Sequence, residues 1–312
     1  MNWTFGSVAV VGAGAVGLYY GARLAAAGED VRFLLKTDYD AVMRDGIRVD
    51  SVAGDLHLRD VKGFRSAEEI GPVDLVIVAW KATANGMLEK VLPPLLHDGT
   101  QVLTLQNGLG NCERIAAITG AERVLGAMCF VCLNRLAPGQ VSHTAGGRIS
   151  VGEFVNDGRG RAAEIARRFS AAGIPTDASP SLAETQWKKL VWNIPFNGLA
   201  IAEGGVTTQH LLETPGMEAE IRALMAEVIA AARAQGLELG DELIESNVGR
   251  TRPMGPYRPS SMIDFLEGRE VEFDAIWGEP LRRAQAAGVA GVAVPHLEKL
   301  AGRIRERIGA GA

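Results

Sequence analysis

Cysteine is scarce in this 312-residue chain: Cys112, Cys129 and Cys132 are all it has, too few for a disulfide framework. Cys129 and Cys132 do form a CxxC, but within the apolar run AMCFVCLN, which reads as a strand. Residues three apart on a strand face opposite sides, so the two sulfurs should diverge rather than grip a metal or cycle as a redox pair. Histidine is equally sparing. His57, His97, His143, His210 and His296 show no H-x-x-x-H spacing and no paired acid, so neither a metal site nor a histidine-driven mechanism is indicated. There is no basic surplus: the formal net charge is −5, whereas a reader of nucleic-acid phosphates carries an excess of lysine and arginine. No apolar run approaches the ~18 residues of a membrane span. The opening MNWTFGSVAVVGAG lacks a basic stretch ahead of an apolar core and a small-residue cleavage site. It suits a first strand better than a signal peptide, and a cytoplasmic location is expected.

What is present is the composition of an ordinary globular enzyme, 47% hydrophobic and 22% charged, at a length that usually divides into two domains. The first half alternates β-rich runs with helical stretches, the pattern of parallel βαβ units. Strands are expected at 7–11, 31–35, 73–79, 101–105, 123–133, 141–143 and 149–152, with a hairpin of 47–52 and 55–58 around Gly54. The run VDLVIVA is apolar nearly throughout, as a strand buried on both faces should be. At Ala178-Ser179-Pro180-Ser181 the texture changes, and long Ala/Leu/Glu/Arg-rich stretches follow at 182–202, 215–235, 240–248, 268–287 and 295–308. The expected fold class is α/β: an N-terminal Rossmann-type doubly wound sheet over 1–178, and an all-helical domain for substrate and dimerisation over 179–312.

Gly12-Ala13-Gly14-Ala15-Val16-Gly17 is a G-x-G-x-x-G that follows the first strand and opens the first helix, the context that turns a weak motif into a dinucleotide-binding signature. The first glycine allows the tight turn, the second lets backbone approach a pyrophosphate, and the third lets helix and strand pack. Strand two runs into Lys36-Thr37, where an NAD site would carry an acid for the ribose hydroxyls. A cation there suits a 2′-phosphate and so favours NADP(H), although Asp38 and Asp40 keep NAD open, the alternative for Lys36 being a solvated surface lysine.

In the second half, Lys189, Asn193 and Asn197 are spaced i, i+4, i+8 among Leu190, Val191, Trp192, Ile194 and Phe196. That makes a narrow polar stripe on an otherwise apolar helix, costly to bury unless it meets a ligand or partners. Pro195 should kink the helix, since it removes a backbone N–H and crowds the preceding turn.

These features occur in order with Lys81 (in VAWKAT), Gln106-Asn107-Gly108-Leu109-Gly110, Pro259-Ser260-Ser261-Met262-Ile263-Asp264 and Gly268-Arg269-Glu270-Val271-Glu272-Phe273-Asp274. The chain thereby resembles the ketopantoate reductase family over essentially its whole length. The resemblance implies reduction of a small 2-keto acid by NADPH, most directly ketopantoate to pantoate, and it allows a homodimer. It implies that Lys189 is the general acid and that Glu272 supports it. Asn193 and Asn197 would contact the substrate's hydroxyl side, and Ser260 (or Ser261) its carboxylate. Asn107 would lie near nicotinamide and substrate, and Lys81 near the cofactor. One departure stands out: Gly204-Gly205 occupies the place where some members carry a further substrate asparagine. Two other readings compete, a β-hydroxyacid dehydrogenase oxidising a 3-hydroxy acid and an NADP(H)-binding regulator without turnover.

Overall fold

The computed structural model describes residues 3–287 and 291–310. The chain folds as two units, one of residues 1–106 and 111–182, the other of 107–110 and 183–312.

The first unit is built on one sheet. Its strands are β1 (Ser7–Val11), β2 (Asp30–Leu34), β3 (Ile47–Ser51), β4 (Leu56–Leu58), β5 (Lys62–Phe64), β6 (Leu75–Val78), β7 (Gln101–Thr104), β8 (Val124–Ala137), β9 (Gln140–Glu153) and β10 (Thr176–Ala178). They are ordered β4-β3-β9-β8-β7-β6-β1-β2-β5, with β10 added to β9. From β8 across to β5 every pair is parallel. Alternation along these strands splits the core in two. Val8, Val10, Leu75, Ile77 and Leu103 pack with Leu18 and Leu24 of α1 (Ala15–Ala26) on one face. Ala9, Val11, Val76, Val78 and Val102 pack with residues of the opposite helices on the other, including Ile70, Leu88 and Ile115. Those helices are α3 (Ala67–Ile70), α4 (Leu88–Val91) and α5 (Asn111–Thr119), while α6 (Arg161–Ala171) shares the α1 face and the seven-residue α2 (Tyr39–Asp45) follows β2. Strands covered on both sides are what the continuous apolar runs demand, and the doubly wound α/β expectation is met.

The hairpin forms as expected, β3 antiparallel to β4. The two strands expected at 141–143 and 149–152 are instead one: β9 runs fourteen residues antiparallel to β8, with register shifts near Phe130 and Cys132. Gly146 and Gly147, at φ +75° and +114°, look like a loop in the sequence but serve as a bulge, where only glycine takes that backbone without strain. Cys129 is buried in the α1-side core and Cys132 is half-buried. His143 is a core residue with both ring nitrogens bonded, Nδ1 to Ser51 Oγ at 2.8 Å and Nε2 to the Ala145 carbonyl at 3.1 Å. A carbonyl only accepts, so Nε2 carries the proton and Nδ1 takes the serine's.

The second unit is helical: α7 (Leu182–Ala202), α8 (Thr208–Glu213), α9 (Met217–Arg233), α10 (Glu242–Thr251), α11 (Ser260–Leu266), α12 (Glu279–Ala286) and α13 (Pro295–Ala310). Its core gathers on α7 and α9, with Trp187, Ile194, Phe196, Leu224, Val228 and Trp277 among its members. Helix α7 continues without a break through Pro195, and the Trp277 indole donates to the Ile194 carbonyl at 3.0 Å beside it. The helix expected over 268–287 is shorter, a π-helical turn Asp274–Gly278 running into α12. No helix among the described residues is long and apolar enough to cross a membrane.

Candidate active site

In the sheet unit, the candidate residues collect at one edge. Val11, Leu34, Phe64, Val78 and Thr104 close their parallel strands in register. Gly12, Lys36, Arg65, Trp80 and Gln106 therefore follow at the carboxyl ends of the strands, where ligands bind in open α/β sheets. Gly12 has φ +105°, and a Cβ there would lie 2.3 Å from the Trp80 nitrogen. A Cβ on Gly17 would lie 2.0 Å from the Gly12 carbonyl oxygen. Both glycines are thus fixed by packing. Gly14 differs: a Cβ there would meet nothing within 4 Å, so its bareness leaves open ground at the start of α1. The N-cap Gly14 has no side chain to cap the helix, and no acid occupies the first turn. The first-turn N–H groups and the dipole behind them suit an anion, and the residues present fit a dinucleotide pyrophosphate.

Lys36 is exposed, and among the described residues it has no ion-pair partner. The two nearby acids are engaged. Asp38 is buried and paired with Arg135, with further bonds from Thr37 Oγ1 at 3.0 Å and Gly139 N at 3.3 Å. Asp40 pairs with Arg65 at 2.6 Å. Lys81 is half-buried and caps the short 3-10 helix Ala82–Met87. Its chain neighbour Trp80 joins a largely buried network of which the sequence motifs single out Gln106 alone. Asn85 Oδ1 accepts from Trp80 Nε1 at 3.2 Å and from Gln106 Nε2 at 2.8 Å, Asn85 Nδ2 donates to Asn111 Oδ1 at 2.8 Å, and Thr104 Oγ1 donates to Gln106 Oε1 at 2.9 Å. It ties Trp80, the residue that crowds Gly12, to the end of β7.

In the helical unit, Lys189 Nζ donates to Asn107 Oδ1 at 2.6 Å, so an ammonium is held at a defined point on the face of α7. Asn193, one turn on, is 7% exposed, and its side chain has no hydrogen-bond partner among the described residues. Among the described residues only Arg23 Nε is a fully buried side-chain polar atom without a hydrogen bond, so the Asn193 amide keeps an opening through which a ligand could reach it. Asn197 is buried too, and its Oδ1 accepts from the Ser261 backbone N–H at 3.0 Å. One of its polar atoms is therefore spent on anchoring α11, leaving its amide nitrogen with no partner among the described residues. Of the two serines, Ser260 is exposed, whereas Ser261 is buried and joined to this stripe. Glu272 is buried, at 6% exposure, two residues ahead of the π-helical turn. Trp192 flanks the stripe, stacked on Phe196 at 5.0 Å with its indole N–H on Thr251 Oγ1 at 2.8 Å. Gly204 and Gly205 offer no side chain. At φ +86° and +98° they end α7, with Gly205 N bonded to Ala200 O at 2.8 Å and Leu266 filling the space a Cβ would need. Since the Asn197–Ser261 bond satisfies a first-turn N–H of α11, Asn197→Ala should lower stability by about 1 kcal/mol. A denaturant titration with an unmoved midpoint would show that the bond is dispensable.

The family model for ketopantoate reductase PanE/ApbA matches residues 8–156, and that for its C-terminal part matches residues 181–307. The chain belongs to the ketopantoate reductase family. The family's members are oxidoreductases that use a nicotinamide cofactor. A 2-dehydropantoate 2-reductase of Nostoc sp. is 40% identical over 286 residues, covering 90% of this chain and 89% of that one. A crystal structure of 2-dehydropantoate 2-reductase from Geobacter metallireducens superposes with a TM-score of 0.93 at 45% identity, covering 96% and 99% of the two chains. D-mandelate dehydrogenase, solved with NADH and anilino(oxo)acetate, shares the fold with a TM-score of 0.88 at 23% identity, covering 98% and 99%. In this member of the ketopantoate reductase family, Gly12–Gly17, Lys36 and Lys81 stand in the sheet unit, and Lys189, Asn107, Asn193, Asn197, Ser260, Ser261 and Glu272 in the helical one.

Proposed function

We propose that the chain reduces a 2-keto acid, foremost 2-dehydropantoate to pantoate, with NADPH. The observation that carries this reading is the polar face of α7, with the Lys189 ammonium held at 2.6 Å by Asn107 and the buried, unpartnered Asn193 a turn away. The cofactor's pyrophosphate would rest on Gly12–Gly17, with Lys36 toward its 2′-phosphate and Lys81 and Asn107 toward its nicotinamide half. Exposed Lys36 and the prior engagement of Asp38 and Asp40 support NADP over NAD. Bound there, a reduced nicotinamide would supply a hydride to the carbonyl carbon.

As that hydride arrives, negative charge grows on the carbonyl oxygen, and Lys189 Nζ meets it and gives up a proton, so that the 2-hydroxy acid leaves and the lysine recovers its proton from water. The Asn107 bond fixes where that proton is delivered. Glu272 supports Lys189 as a buried carboxyl of the same unit. Asn193 and the amide nitrogen of Asn197 would bind the substrate's hydroxyl side. For the carboxylate the reading is Ser260, which is exposed at the first position of α11, with Ser261, held to Asn197 through its backbone N–H, as the alternative. The test is NADPH oxidation across a panel of 2-keto acids, ketopantoate included, with NADH in parallel and 3-hydroxy acids assayed for oxidation. Reduction of ketopantoate with NADPH preferred is the expected result. Oxidation of 3-hydroxy acids without keto-acid reduction would overturn the assignment, and tight NADPH binding with no turnover would point to a regulator.

A further inference from the structure

The cation row at the carboxyl edge of the sheet extends beyond Lys36. Leu34 of β2 is paired with Phe64 of β5, and Leu35 N continues the ladder to the Phe64 carbonyl at 2.8 Å. Arg65 thus leaves β5 opposite Leu35, one position short of Lys36 on the neighbouring strand about 4.8 Å away, and β5 lies on the side of β2 away from the glycine loop that follows β1. A dinucleotide whose pyrophosphate lies on that loop runs its adenosine in this direction.

Arg65 is prepared for an anion. Its guanidinium lies over the Tyr39 ring, 3.9 Å from the centroid, one nitrogen meets Asp40 at 2.6 Å, and its backbone N–H is tied to Glu69 Oε2 at 3.0 Å. Yet the side chain is still about half exposed, at 54%. Stacking on one face leaves the other face and an edge of the fork for a ligand. An exposed pair such as Arg65–Asp40 gains little stability from its charges, so stability does not explain so ordered an arrangement.

We propose that Arg65 is a second cation for the cofactor's 2′-phosphate, acting beside Lys36, with Tyr39 holding its guanidinium flat and Asp40 as the counter-ion that the phosphate displaces. This rests on the NADP(H) reading above. A planar fork gives the phosphate two charge-assisted hydrogen bonds that the point charge of Lys36 cannot, and displacement of Asp40 makes the site selective against a cofactor that brings no charge of its own.

The test is calorimetric titration of the full chain with NADPH, NADH, 2′,5′-ADP and 5′-AMP, for the wild type and for Arg65→Ala, Lys36→Ala and Asp40→Asn. Arg65→Ala should weaken NADPH and 2′,5′-ADP by about ten- to a hundredfold and leave NADH and 5′-AMP within about twofold, with an unchanged melting temperature. Asp40→Asn should tighten 2′,5′-ADP and leave 5′-AMP unmoved. Equal losses for phosphorylated and unphosphorylated ligands in Arg65→Ala, or no loss, would overturn the assignment. If Lys36→Ala removes the NADPH preference while Arg65→Ala does not, the NADP(H) reading stands and the inference fails. If the wild type shows no preference at all, both fail.

Discussion

Lys189→Ala should lower kcat for keto-acid reduction by two to four orders of magnitude, the usual worth of a positioned general acid, about 10²–10⁴-fold, and leave the NADPH dissociation constant nearly unchanged. The split follows from where the residue stands. Lys189 belongs to the polar face of α7, bonded to Asn107, whereas the loop that suits a pyrophosphate belongs to the sheet unit. Lys189→Arg refines the test, because it keeps the positive charge but cannot release a proton near neutral pH. Its rate should fall between those of the wild type and the alanine variant, and that gap measures charge stabilisation apart from proton donation. Steady-state rates beside a fluorescence titration with NADPH decide the matter. An alanine variant that turns over normally would remove Lys189 from the chemistry.

The second large effect separates two glycines of one motif. Gly17→Ala drives a Cβ to 2.0 Å from a backbone oxygen and 3.2 Å from the Ala79 Cβ. Neither neighbour is the flexible end of a side chain, so helix and strand must part, at a cost of about 3 kcal/mol or more, and the protein should melt early or fail to fold. Gly14→Ala meets nothing in the protein, at a backbone of φ −80° and ψ −173° that alanine adopts freely. Its stability should stay within about 1 kcal/mol of the wild type. The new methyl does occupy the ground over which a pyrophosphate would approach, so NADPH affinity should fall by about tenfold or more. Melting curves with and without NADPH read both effects. Wild-type affinity in Gly14→Ala would mean that the phosphates lie elsewhere.

How far the sequence foretells these features depends on how local their causes are. Helix α7 begins and ends where its periodicity predicts, at Leu182 and Ala202, because twenty-one residues of pattern outweigh any single exception, Pro195 included. The glycine loop is legible for the same reason, flanked by an unmistakable strand and helix. Short or irregular elements are not. The seven residues of α11 give too little pattern to announce a helix, so the bond from the Ser261 backbone N–H to Asn197 Oδ1 has no signature in the spacing. The bulge at Gly146-Gly147 reads as a loop, because glycine pairs usually end strands. Asn85 and Arg65 are invisible for a different reason. Each matters through partners distant in sequence, Asn85 through Gln106 and Asn111, Arg65 through Tyr39 and the register of β5 on β2. Such partners are found only once the sheet has aligned its strands.

The division of the chain has a practical consequence for anyone who would take it apart. The helical unit claims Asn107–Gly110 from the middle of the other unit's sequence. It secures them with Leu109 N on the Ala275 carbonyl at 2.9 Å, and with Gly108 so close that a Cβ would fall 2.2 Å from that same oxygen. Splicing at residue 182, the obvious place to cut, would strand Asn107 on the wrong fragment and separate Lys189 from the atom that holds it. Chimeras that exchange the helical half with a relative's must therefore carry the four-residue insert with it. The unit of inheritance here is a discontinuous one.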